Sequence, residues 1–173
     1  MGRSRRPGAR SELHVPFMKP EFTWSDAWLL LAVACAEREH KAHGTAGATL
    51  TDVIAWGDVI NHAIFSSDEL RRGFSNLIAA GWVAFDGKFF SLAGMAVAEW
   101  ERIERSTRTL WHCLEKIEVF LSSASHLAEY ANVQAPDRIY PTLSNREIRA
   151  ACKAWHRKAR RLIRENARKR KRT

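Results

Sequence analysis

The side chains in this sequence best suited to chemistry are cationic, and they fall into two clusters. Arg71 and Arg72, followed by Ser75 and Asn76, are residue types that read base edges. A guanidinium donates two hydrogen bonds to guanine, and an asparagine amide pairs with adenine. The second cluster is Arg146, Arg149 and Lys153, then Arg157, Lys158, Arg160, Arg161, Arg164 and Arg168. Its steps, mostly of three and four, let a helix follow a phosphate backbone. The six from Arg157 onward are taken as binding residues. Lys88 adds one base beside the tip of an expected hairpin. Trp155 sits inside the second cluster, but its helical spacing to Ile148 and Leu162 marks it as a core residue rather than a base-stacking platform.

Other combinations fail on geometry. Cys35, His40 and His43 are close in sequence, but zinc needs four ligands, or three and a water, and no fourth lies nearby. The histidines read instead as exposed side chains near a helix C-terminus, where positive charge is tolerated. Asp58 and His62, four apart, suit a surface hydrogen bond. His112 and Cys113 are adjacent, so on a helix they point about 100° apart and form no dyad. The sequence holds no glycine-rich phosphate loop, nucleophile elbow or metalloprotease helix motif. The expectation is a protein that is not an enzyme and carries no cofactor or metal.

The net charge of +9 divides unevenly. Residues 1–20 hold five Lys/Arg and one Glu, residues 146–173 hold thirteen and two, and residues 21–145 hold ten bases against sixteen acids. Two basic ends therefore flank an acidic body, and that asymmetry bears on partners more than the overall balance does. A hydrophobic fraction of 46% with seven Trp implies a packed core. The longest apolar run, 27–36, is half the roughly twenty residues a bilayer crossing needs, so it reads as a buried helix and no membrane partner is expected. Three distant cysteines form no disulfide framework, and Arg3, Arg5 and Arg6 precede no apolar segment, so the expected location is cytoplasmic.

The elements that must position these residues are announced by capping pairs. Thr23 with Asp26, Thr49 with Asp52, Ser66 with Glu69 and Ser144 with Glu147 each open an apolar stretch of helical period. The first helix runs to about Lys41, the second is weakened by Gly57, and the third ends at Gly81, where a C-cap wants positive φ. Trp82–Phe85 and Lys88–Leu92 flank Asp86-Gly87, the signal for a hairpin closed by a two-residue type I′ turn. Trp100, Ile103, Thr107, Leu110, Leu114, Ile117 and Leu121 then follow a heptad spacing along an extension. That seam either packs back on its own domain or pairs two copies of the chain. A short helical piece at 126–131 and a loop holding Pro136 and Pro141 lead to the basic helix. Its apolar face is Ile148, Cys152, Trp155, Ala159 and Leu162, and it frays at 169–172.

Three helices followed by a hairpin make a winged helix-turn-helix. The strings Asp58-Val59-Ile60-Asn61-His62-Ala63-Ile64, Asp68-Glu69-Leu70 and Leu77-Ile78-Ala79-Ala80-Gly81-Trp82-Val83 resemble uncharacterised bacterial winged-helix proteins. Phe90-Ser91-Leu92-Ala93-Gly94 is similar to the Leu-Thr-x-x-Gly that leaves the wing in many winged-helix regulators, shortened here by one position. The resemblance covers about seventy residues, within 21–94, and implies a fold and a broad class.

The expected organisation is a basic arm at 1–20, a winged-helix domain at 21–94, a helical extension at 95–131 that is a candidate for dimerisation, a loop at 132–144, and a basic helix and tail at 145–173. The class is mainly α with a small β-hairpin. DNA is the expected partner, with transcription regulation as the role and RNA suggested by the basic tail alone. Arg71, Arg72, Ser75 and Asn76 would supply any sequence preference, and Lys88 is a further nucleic-acid-binding residue. Against this, 21–94 carries five bases and nine acids, the wrong sign for a domain that binds DNA unaided. The competing expectation is an adaptor that meets a protein through this acidic surface.

Overall fold

The computed structural model describes residues 21–45, 47–124 and 138–170. The basic arm 1–20, the helical piece expected at 126–131 and the final residues 171–173 lie outside them. The chain is mainly helical, with one antiparallel two-stranded hairpin.

Helix α1 (Trp24–Ala42) is the hub, because every residue from Asp26 to Glu37 is buried. A helix apolar on all sides has no solvent face to keep, so other elements must surround it. Around it stand α2 (Leu50–Asn61), α3 (Ser67–Ala79), α4 (Met95–Ser106) and α5 (Leu110–Ala124). The acid that ends the buried run holds neighbouring elements in place, since Glu37 accepts the Leu92 N–H at 2.9 Å and pairs with Lys41 at 3.0 Å. The hairpin joins β1 (Val83–Phe85) to β2 (Phe90–Leu92), and Ala48 adds a backbone bridge to Phe90. Helix α6 (Asn145–Arg170) lies against α2.

All four capping pairs form. In α3, for example, the Ser66 N–H donates to Glu69 at 2.8 Å while the Glu69 N–H donates to the Ser66 hydroxyl at 3.2 Å. The same reciprocal bonds at Ser144 and Glu147 start α6. Such a cap contributes about 1 kcal/mol. Helix α3 ends as its sequence indicates. Gly81 takes φ +74°, its N–H meets the Ile78 carbonyl, and the Trp82 N–H reaches back to Leu77. These are the two bonds of a Schellman cap, and they deliver the chain directly into β1.

Three local expectations are corrected. The hairpin tip is four residues long, since Phe85 pairs with Phe90. Only Gly87 there has positive φ, and the Asp86 carboxylate accepts the Lys88 and Phe89 N–H groups at 2.8 and 2.7 Å. That side-chain turn replaces the type I′ geometry. Helix α2 runs through Gly57, which lets it approach Phe65: a Cβ there would stand 2.3 Å from the Phe65 ring. Its carbonyl accepts the Trp28 indole N–H at 3.0 Å, and Trp28 stacks on Phe65 at 3.7 Å. The heptad seam is not one helix, because Thr107 is extended and separates α4 from α5. Trp100, Ile103, Leu114, Ile117 and Leu121 are buried within the chain itself. Finally, α6 stays helical through Lys169 and Arg170, where fraying was expected.

Candidate nucleic-acid interface

The two cationic clusters end up in opposite situations. On α3, Arg71 is bound by its own chain. Its Nε donates to the Leu143 carbonyl at 2.9 Å, one terminal nitrogen pairs with Asp68 at 3.0 Å, and the other meets the Asn145 side chain. Arg72 donates to the Thr23 and Ser25 hydroxyls at 3.0 and 2.7 Å, tying α3 to the start of α1. Ser75 is exposed and Asn76 half-buried. Lys88 stands exposed at the hairpin tip, its ammonium 4.7 Å from the centre of the Phe89 ring.

The segment 138–145 runs beside α3 like a strap. Arg138 at one end donates to the last two α3 carbonyls, that of Ile78, which also accepts the Gly81 N–H, and that of Ala79. At the other end Leu143 lines a cleft together with Phe85 and Phe90 of the hairpin and Thr49 to Thr51 at the start of α2. The side of α3 next to the hairpin is therefore partly covered by the chain's own C-terminal region.

On α6 the arrangement is reversed. Ile148, Ala151 and Trp155 are buried. The Trp155 indole N–H donates to Asp58 of α2 at 2.8 Å, so it is a core residue with a satisfied polar end. The Asp58 carboxylate is thereby engaged by Trp155; the side-chain bond expected with His62 is not made, and the two residues meet only through the His62 N–H and the Asp58 carbonyl at 2.8 Å. His62 instead ends α2 in the left-handed region at φ 52°. Lys158 approaches Asp52 at 3.9 Å, and Asp52 also holds the His40 ring of α1 at 2.9 Å. Beyond Ala159 every described residue of α6 is exposed. Arg161 pairs with Glu165 one turn on. Arg157, Arg160, Arg164 and Arg168 have no ion-pair partner among the described residues. Residues 157–170 carry eight bases and one acid.

Electrostatics at the docked end add weakly to a seat made by the buried Ile148, Ala151 and Trp155. Burial pushes the Asp52 carboxyl up, but hydrogen bonds from the Thr49 hydroxyl and the His40 ring outweigh it and hold Asp52 below its usual range. Asp52 thus stays ionised beside Lys158. The uneven charge of the sequence does not show through which acids the basic helix meets the acidic body. Asp58 is 97 positions from Trp155 and offers no local signal. The strap residues Arg138, Leu143 and Asn145 were missed for the same reason.

Cys35, His40 and His43 do not converge. Cys35 lies in the core, where burial pushes its thiol up to about 12, while His43 is exposed. No group of three or more metal-ligating side chains occurs among the described residues. No helix among them is long and apolar enough to cross a membrane. No family model, curated protein or solved structure matches this chain.

Proposed function

We propose that this protein is a cytoplasmic DNA-binding protein of the winged helix-turn-helix, transcription-regulator type, whose affinity for phosphate comes from α6. The order α1, Ala48 bridge, α2, α3 and hairpin supports the winged-helix reading of 21–94. Three unpaired cysteines accord with a reducing compartment. The observation that carries the reading is the projecting half of α6, fully exposed and bearing one Glu against its bases. Cations held away from carboxylates release counterions when they meet phosphates, which is the main source of sequence-independent affinity.

Fluorescence anisotropy of a labelled 20-base-pair duplex, titrated with the full chain at several salt concentrations, tests this. With Arg160, Arg161, Arg164 and Arg168 each changed to Gln, affinity should fall at least tenfold at low salt and its salt dependence should flatten. Unchanged binding would remove the basis for the proposal.

Trp111 and Val119, 57% and 68% exposed on α5, favour a second reading in which this helix meets another protein. Sedimentation velocity of the parent against Trp111→Ser shows whether a second copy is that protein.

A further inference from the structure

The outward side of the docked half of α6 is as basic as its free half, and the two are continuous. At about 100° per residue, Ile148, Trp155 and Ala159 share one side of α6, the side that faces α2. Directly opposite, a stripe begins at Arg146 and ends at Arg168, stepping three or four residues at a time through Arg149, Lys153, Arg157, Arg160 and Arg164. All of these residues are exposed, and none has an ion-pair partner among the described residues. Both acids of the helix, Glu147 and Glu165, fall to one flank, about 40° or more outside the stripe. The acids of α2 that receive the helix, Asp52 and Asp58, lie beneath its other side.

We infer that this whole stripe, docked half included, is one binding surface for double-stranded DNA, with the projecting end forming only its distal part. The inference rests on the DNA-binding reading above and extends it in place and in partner. Length favours a duplex: at about 1.5 Å per residue, Arg146 and Arg168 are about 33 Å apart, close to the roughly 34–36 Å turn of B-form DNA. A straight cationic rail of that length meets phosphates of a rigid duplex without bending it. Single strands are instead gripped by aromatic platforms, and the one aromatic ring on α6 apart from His156, that of Trp155, is turned into α2. An anionic membrane would need the side of the helix opposite the bases to enter lipid, and in the docked half α2 occupies that side.

The test compares two sets of substitutions in the full chain, with circular dichroism confirming that helix content is kept. One set is Arg146→Gln, Arg149→Gln and Lys153→Gln in the docked half; the other is Arg160→Gln, Arg164→Gln and Arg168→Gln in the projecting half. Each set should lower the slope of log affinity against log salt by about 2 to 3 on duplex DNA, at roughly 0.9 per phosphate contact. The parent should bind a duplex at least fivefold more tightly than a single strand or an RNA duplex of equal length. If only the projecting set weakens binding, the stripe proposal is overturned while the DNA-binding reading stands. If neither set does, the DNA-binding reading itself falls. Equal affinity for single-stranded DNA or duplex RNA would overturn the choice of partner.

Discussion

Helices α3 and α6 both carry the arginines that a polyanion requires, but Arg71 and Arg72 of α3 make hydrogen bonds within the chain while the α6 stripe makes no ion pair among the described residues. Arg71 and Arg72 close hydrogen bonds to a strap and to the α1 cap, so their guanidinium groups hold the fold together. The bases of the α6 stripe face away from the acids that receive the helix, whereas Lys158, outside the stripe, approaches Asp52. The difference comes from which side of each helix the rest of the chain covers. Residue type gives a side chain its capacity, and the partners within reach decide whether it is used internally.

The contrast can be attacked at its strongest point first. Trp155→Ala removes the buried anchor of α6 and leaves Asp58 without its donor, which should cost about 3 to 5 kcal/mol in urea denaturation. Duplex affinity should fall with it, because a detached α6 no longer presents an ordered stripe. Parental affinity with α6 undocked would break the link between docking and binding. Next, Arg71→Ala with Arg72→Ala should lower stability by about 1 to 2 kcal/mol while duplex affinity stays within twofold of the parent. A tenfold loss of affinity would show that α3 does read DNA and that the strap lifts.

Acid offers a subtler probe of the α6 seat. A carboxyl held below its usual range stabilises the fold above its unfolded value near about 3.9, and that contribution is lost as pH falls through the folded value. Between about pH 5 and pH 3 the thermal midpoint of the parent should therefore fall more steeply than that of Asp52→Asn, since Asp52 is the depressed group. Parallel curves would remove Asp52 from the account. The smallest effect is expected for Lys158→Gln. Its pair at 3.9 Å is half exposed, and its loss should change stability by less than about 0.5 kcal/mol.

Much of the frame was legible because its signals are local. A capping box needs residues three apart, and a Schellman cap needs a glycine at one place, so Ser66, Glu69 and Gly81 announced α3 correctly. Periodicity failed where one conformational break decided the outcome. Thr107 is the one position that breaks the apolar heptad, and its extended backbone turned one expected helix into two. The interface was less legible still. The cations of α6 are plain in the sequence, but the side they present depends on Asp58, and the internal bonds of Arg71 depend on Leu143 and Asn145. Those pairings join residues 72 to 97 positions apart. No spacing rule reaches that far. Gly57 is a similar case, since only the position of Phe65 reveals why a side chain is excluded there.

Helix α6 contains neither Gly nor Pro from Asn145 to Arg170, so it crosses the edge of the body without a joint. Arg168 lies about 20 Å past Trp155 along that rod. Whatever grips the far end therefore acts through a lever whose fulcrum is the seat on α2, and the torque arrives at Trp155 and Asp58. Through His40, which clasps Asp52 from α1, that load passes on to the central helix of the molecule.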